Sequence, residues 1–256
     1  MFVDSHSHLD APEFDRDRTE VLQRARVAGV TTQIIPAVAA SGWEKLQALC
    51  DAESGLHPAY GLHPMYLEAH QPEHLARLVT WIERERPCAV GECGLDFFVE
   101  GLDPEVQRRY FVRQLEIARE FDLPLILHAR RAVDEVILAL RRIGGLRGVV
   151  HSWSGSEEQA RQLWSLGFHL GIGGPVTYER ARRLRNIVAQ MPIEWLLLET
   201  DSPDQPLAAH RGARNEPAHL LEVAETVAQL RGVEIEAIAA TTAANARALF
   251  GLGSRA

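Results

Sequence analysis

The chain has no run of about 18 or more consecutive apolar residues, so no membrane-spanning helix is expected. Its first residues include Asp4, His6 and His8 and make no secretory hydrophobic region. Cysteine is scarce. Cys50, Cys88 and Cys93 are odd in number and awkwardly spaced, which argues against a disulfide framework and for a reduced, cytoplasmic protein. No glycine-rich phosphate loop follows the first apolar run, which disfavours a dinucleotide-binding doubly wound sheet. No linker, low-complexity tract or composition break is present, and residues 1–256 read as one domain. Cationic excess is missing too. The formal net charge of -8 argues against wrapping duplex nucleic acid, because such binding depends on neutralising many phosphates. A site that grips one or two phosphates is still allowed.

What the chain does have is an apolar fraction of 46%, enough for a sizeable core, in a length of 256 residues. That length suits two ordinary domains or one barrel. Eight short apolar runs recur: Met1–Val3, Thr31–Val38, His57–Leu62, Cys88–Glu92, Pro124–His128, Gly148–His151, Phe168–Gly173 and Trp195–Glu199. Between them lie segments with helical spacing, such as Val21, Leu22, Ala25 and Ala28, or Leu75, Leu78, Val79 and Ile82. Ser41 is placed to cap the second helix, and Ser156 with Glu158 to begin the sixth. Tyr178 to Gln190 reads as helical, and two closing helices are expected over Pro217–Leu230 and Glu234–Leu249. Continuous apolar runs alternating with helices predict a parallel sheet covered on both faces. Eight units predict an α/β fold of the (β/α)8 TIM-barrel type.

Polar residues recur where these strands end. His6 and His8 follow the first, two apart and so able to face one pocket from an extended backbone. His63 lies near the end of the third, Glu92 at the fourth, His128 at the fifth, His151 at the sixth and Asp201 just past the eighth. In a barrel these ends share the face that carries the active site. His6, His8, Glu92, His128, His151 and Asp201 are of metal-ligand type, and such a mixture suits zinc, manganese or a similar divalent ion. Six ligands exceed the need of one tetrahedral zinc and fit two ions roughly 3.5–4 Å apart with a bridging carboxylate. Glu92, mid-barrel, is the expected bridge, with His6 and His8 on one ion and His128 and His151 on the other. Asp201 would close the first site and accept a proton from water activated there. The chemistry implied is hydrolysis at carbon or phosphorus.

The motifs Asp4-Ser-His6-Ser-His8-Leu-Asp10, Gly61-Leu-His63-Pro64, Gly91-Glu92-Cys-Gly-Leu-Asp96, Pro124-Leu-Ile-Leu-His128-Ala-Arg130, His151-Ser-Trp-Ser-Gly155, Glu199-Thr-Asp201-Ser-Pro203 and Arg214-Asn215-Glu216-Pro217 resemble those of the TatD family of metal-dependent deoxyribonucleases. The resemblance spans essentially the whole chain, keeps its order and is closest to the YjjV-type branch. It implies a barrel of the amidohydrolase superfamily with two or three divalent ions, among them zinc, manganese or magnesium. It further implies phosphodiester hydrolysis, exonucleolytic in the 3'-5' sense, on DNA single strands or ends, with no membrane and no obligate protein partner. By motif position it makes His6, His8, Glu92, His128, His151 and Asp201 the ligands and puts His63 at the substrate phosphate. Cys93, Ser152-Trp153 and Asp204 depart from the family pattern, the last near the pocket mouth.

Other readings stay open. His63 contacts substrate or shapes its loop before Pro64. Arg130 clamps a phosphate or makes a surface ion pair. Arg211, Arg214 and Asn215 face substrate or solvent, and Cys93 is a packed thiol or a soft ligand. His57, His70, His74, His169, His210 and His219 match no ligand position and are expected to be structural or exposed. The same site would suit a deacylase or esterase acting on a small metabolite or an aminoacylated RNA end, since fold does not settle function. A catalytically silent binding barrel is the remaining alternative, opposed by the cost of burying such a cluster without a purpose.

Overall fold

A computed structural model describes residues 1–253. The strands are β1 (Phe2–Asp4), β2 (Val30–Pro36), β3 (Leu56–Tyr60), β4 (Ala89–Asp96), β5 (Leu125–Arg130), β6 (Gly148–Val150), β7 (Phe168–Ile172) and β8 (Leu196–Leu198). The helices are α1 (Arg18–Val27), α2 (Trp43–Ala52), α3 (Glu73–Glu85), α4 (Pro104–Glu120), α5 (Val133–Ile143), α6 (Glu157–Ser165), α7 (Arg182–Gln190), α8 (Leu220–Arg231) and α9 (Ile235–Phe250). Every strand pairs in parallel with the next, in the order β1 to β8. This is the (β/α)8 architecture that the alternating apolar runs predict.

The barrel interior is a cluster of one small or branched residue from each of seven strands: Val3, Ile34, Ala59, Ala89, Ile126, Val149 and Leu197. Ala243, Ala246, Leu249 and Phe250 of α9 pack against it, so the last helix plugs the end opposite the polar strand termini. A larger cluster fills the layer between the strands and the surrounding helices.

The seam between β8 and β1 closes just beyond the strands themselves. Ser5 N donates to Leu198 O at 2.9 Å, Asp201 N to His6 O at 2.9 Å and His8 N to Ser202 O at 2.7 Å. Asp4, fully buried, reinforces the seam: Oδ1 accepts from His6 N and Thr200 N, and Oδ2 from the Thr200 hydroxyl at 2.6 Å.

Local boundaries differ from the sequence reading where polar turns intervene. A 3-10 turn at Ala40–Gly42 occupies the expected cap position, so Ser41 does not cap α2 and the N-cap is Gly42. Ser156 does cap α6 in a reciprocal box, but its partner is Gln159, which sits at the third helical position, and not Glu158. α7 starts at Arg182 because Gly174–Thr177 forms its own turn and the Tyr178 hydroxyl donates to Pro206 O at 2.9 Å. β4 extends four residues past Glu92, to Asp96.

The large aromatic group of the core is Trp43, Tyr60 and Trp81, with ring centroids 5.7–6.0 Å apart, and Trp43 Nε1 donates to Gly61 O. Trp43 is wholly buried and joins α2 to α3 and to the end of β3. Trp43→Ala is expected to cost about 3–5 kcal/mol through the cavity it leaves. Urea unfolding should show this as a lower midpoint with an unchanged slope.

Candidate metal centre

The site is built around Glu92. Between β4 and β5 the register runs from Val90↔Leu125 to Cys93↔Leu127, so β4 carries one extra residue in this interval. Such a bulge re-aims a side chain, and Glu92 sits within it, buried at 1% exposure. Two glycines make room nearby. A Cβ on Gly94, whose φ is +147°, would lie 2.0 Å from His128 O, and a Cβ on Gly171 would lie 2.0 Å from Glu199 Oε2.

The two carboxylate oxygens of Glu92 face different partners. Oε1 lies 2.8 Å from His63 Nε2, 2.8 Å from His151 Nε2 and 3.2 Å from His128 Nδ1. Oε2 lies 3.2 Å from His6 Nε2 and 3.5 Å from His8 Nε2. Asp201 Oδ1 completes the second group, 3.4 Å from His6 Nε2 and 3.6 Å from His8 Nε2. All six residues that the strand-end pattern nominates as ligands therefore converge, with Glu92 between them.

Carboxyl groups stand behind two of the histidines, and one of them sets a tautomer. Asp96 Oδ2 lies 2.8 Å from His128 Nε2, and its Oδ1 accepts from Phe98 N and Val99 N. His128 thus gives its Nε2 proton to Asp96 and turns the lone pair of Nδ1 to the centre. Burial disfavours the Asp96 carboxylate, but His128 and the two backbone donors outweigh it and hold the pKa at about 2. Behind His151, Glu199 Oε1 stands 4.0 Å from Nδ1 and accepts from Ser152 N. Burial, partly offset by His151, pushes the Glu199 carboxyl up to about 8. His63 differs. Its Nδ1 accepts from Met65 N at 3.1 Å, which leaves the proton on Nε2 facing Glu92. In this tautomer His63 is a donor and not a ligand.

The centre is made for cations. His6 Nε2 meets His8 Nε2 at 3.1 Å, and His128 Nδ1 meets His151 Nε2 at 3.2 Å. Opposed nitrogens at such distances need a proton or a metal ion between them. Glu92 Oε1, His6 Nδ1, His151 Nδ1 and Glu199 Oε2 are buried without a hydrogen-bonded partner of proper geometry. Burial opposes charge on Glu92, yet the surrounding imidazoles of His63, His151 and His6 hold its carboxyl well below the usual range. Imidazole and carboxylate donors of this kind fit zinc or manganese.

Comparison with known proteins agrees with this geometry. A family model described as TatD related DNase matches residues 3–251. The chain belongs to the TatD family. It is 41% identical to the metal-dependent hydrolase YjjV of Escherichia coli K12, over 97% of each chain. The crystal structure of E. coli YjjV, described as a TatD homolog, superposes with a TM-score of 0.93 at 39% identity, covering 98% of both chains. A Klebsiella pneumoniae relative named 3'-5' ssDNA/RNA exonuclease TatD is 35% identical over 96% of each chain. The chain is therefore a metal-dependent hydrolase of the TatD family.

Not every sequence candidate reaches the pocket of this TatD protein. Arg214 is spent on Asp17, which it holds through two nitrogens at 2.8 and 2.6 Å, and on Glu13 O, over the Phe14 ring. Asn215 is wholly buried: Nδ2 donates to Thr200 O, Asp204 O and Gln205 O, while Oδ1 accepts from Glu216 N and faces His219 Nδ1. Asn215 has no atom left for substrate, and both guanidinium Nη atoms of Arg214 are engaged; both side chains brace the loop after β8. Arg211 is exposed on that loop. Arg130 is exposed and stacks 3.7 Å over the Phe98 ring. Cys93 is a packed thiol at 0% exposure, and His70 holds His63 O at 2.9 Å.

Asp96 and Glu199 are the carboxyl groups beside the ligand histidines that strand-end reading passed over. Asp96 lies four residues beyond Glu92 on one strand, hence on the same face, and that spacing was the available signal. Asp96→Ala is expected to weaken metal retention at the His128 side by about 10–100-fold, with Asp96→Asn recovering part of it. Chelator competition against the wild type measures both.

Proposed function

We propose that this protein is a two-metal phosphodiesterase that shortens single-stranded DNA from an end, in the 3'-5' sense. The observation that carries the reading is the division of Glu92: one oxygen serves His128 and His151, the other His6, His8 and, beside them, Asp201. A carboxylate so shared is suited to bridging two divalent ions, zinc or manganese by donor type, magnesium less well because imidazole ligands predominate. Bound divalent ions supply Lewis acidity and lower the pKa of water at the site.

The chain's own groups then have separable tasks. Gln205 Nε2 holds Asp201 Oδ2 and leaves Oδ1 turned to His6 and His8, where it would take the proton lost by an attacking water as that water's oxygen bonds to phosphorus and the P–O bond to the leaving nucleotide breaks. With its side chain 12% exposed, Asp201 is less buried than Glu92 and can pass that proton outward. His63, with its proton on Nε2 and 2.8 Å from Glu92 Oε1, is placed to donate to a phosphate oxygen that approaches it. At the mouth, Phe98 is exposed and flanked by Arg130 at 3.7 Å and Arg131 at 4.6 Å. Tyr66 is exposed beside His63, with ring centroids 5.6 Å apart. Exposed rings bordered by guanidinium groups suit stacked bases and their phosphates on a single strand. The name of the K. pneumoniae relative points to the same substrate class.

Metal counting on the loaded protein should give about two ions per chain. Glu92→Ala should loosen both sites together, whereas His128→Ala should release chiefly one ion. On end-labelled oligonucleotides, single strands should shorten from one end while closed duplex circles persist. Phe98→Ala should raise KM about 10-fold with little change in kcat, as expected for a lost base stack. Hydrolysis of acyl esters with no action on any nucleic acid would replace this reading with the deacylase one.

A further inference from the structure

Away from the centre, the loop after β8 and the start of α8 bring together His210, His219 and Glu222. We propose that these three residues form a second, peripheral site for a divalent transition metal of the zinc type. His210 ends a 3-10 turn (Ala208–His210), His219 ends another (Pro217–His219), and Glu222 lies in the first turn of α8. His219 and Glu222 are three apart, the spacing that puts two side chains on one helical face.

The donors are already gathered. One ligand atom of each residue lies within 4.8 Å of the others. His210 Nε2 is 2.7 Å from Glu222 Oε1, and the two imidazoles stack at 4.0 Å with an interplanar angle of 8°. Stacked rings direct their lone pairs in parallel, so binding tetrahedral zinc with bonds of about 2.0–2.2 Å requires one imidazole, His210 on the part-exposed loop, to turn out of the stack while His219 stays fixed.

The orientation of His219 is imposed from behind. Asn215 Nδ2 donates to three backbone carbonyls, Thr200 O, Asp204 O and Gln205 O, so the other amide atom must be the oxygen. That oxygen takes the Nδ1 proton of His219 at 2.9 Å. The lone pair of His219 therefore sits on Nε2, directed away from Asn215. Fixing a ligand histidine by a hydrogen bond to its other nitrogen is how metal sites are tuned. Burial, together with the neighbouring His210, lowers the pKa of His219 and keeps it in the neutral, ligating form. The nearby Glu216 is held by Arg24 through both oxygens, which leaves Glu222 as the carboxylate available to the pair.

The site shares no residue with the centre around Glu92, and it stands whether or not the substrate is DNA. It does touch the centre's support. Asn215 links His219 to the carbonyl of Thr200, the residue before Asp201. An ion bound outside would fix the Asn215 brace and so the loop that carries Asp201.

The test is a metal titration of the full chain, first saturated at its central sites. Zinc per chain is counted after equilibration at graded free zinc, in the wild type and in His210→Ala/Glu222→Gln. The wild type should bind one ion more than the variant, and cobalt substitution should add a visible ligand-field band that the variant lacks. Added zinc should also raise the Tm of the centrally loaded wild type and not that of the variant. His210→Ala alone, at a part-exposed loop position, gives the same readout if the double variant unfolds. Equal zinc counts and equal Tm responses in folded wild type and variant would overturn the proposal.

Discussion

A buried carboxylate surrounded by imidazoles is the constraint on which the rest of the molecule depends. Glu92 sits in a water-poor barrel mouth, where an isolated charge would be costly. It is tolerated because His6, His8, His63, His128 and His151 all turn a nitrogen toward it within 3.5 Å. The histidines do not respond alike. Burial disfavours charge on His151, but the Glu92 carboxylate outweighs it and carries the ring to about 10. On His6 burial wins, helped by the charge of the stacked His151, and the ring falls to about 4. A cage with one proton-hungry ring and one proton-averse ring is a poor home for protons alone and a good one for divalent cations.

The fold delivers these groups by very short connections. β1 and β8 have three residues each, and their seam is stitched by bonds from the segments that bear His6, His8 and Asp201. Closing the barrel and assembling half of the centre are thus one structural event. The other half depends on the β4 bulge, which aims Glu92 inward, and on Asp96 at the end of the same strand. Bracing of the β8 loop falls to Asn215 and to the Arg214–Asp17 pair.

Much of this was legible in the sequence, for physical reasons. Parallel strands covered on both faces must be continuous apolar runs, so the eight strands announced themselves. Strand ends share one face in a barrel, so the six ligand-type residues could be gathered without coordinates. What stayed hidden was partnership. Arg214 and Asn215 sit in a polar loop, and nothing local says that Asp17 and Thr200 consume them. His210 and His219 read only as structural or exposed histidines because their meeting depends on how a loop folds back onto α8. The cap expected of Ser41 does not form because a 3-10 turn competes with a capped helix start over the same few residues. Asp96 and Glu199 lay within quoted motifs but act through other side chains, and spacing does not show through which.

The central claim is that the two oxygens of Glu92 serve two different ions. Crystals of the manganese-loaded protein, measured for anomalous scattering at the manganese edge, test it most directly. The account predicts two anomalous peaks per chain at the barrel mouth, one on each side of Glu92, with the first beside His6 and His8 and the second beside His128 and His151. A single peak chelated by both oxygens of Glu92, or none near it, would contradict the account.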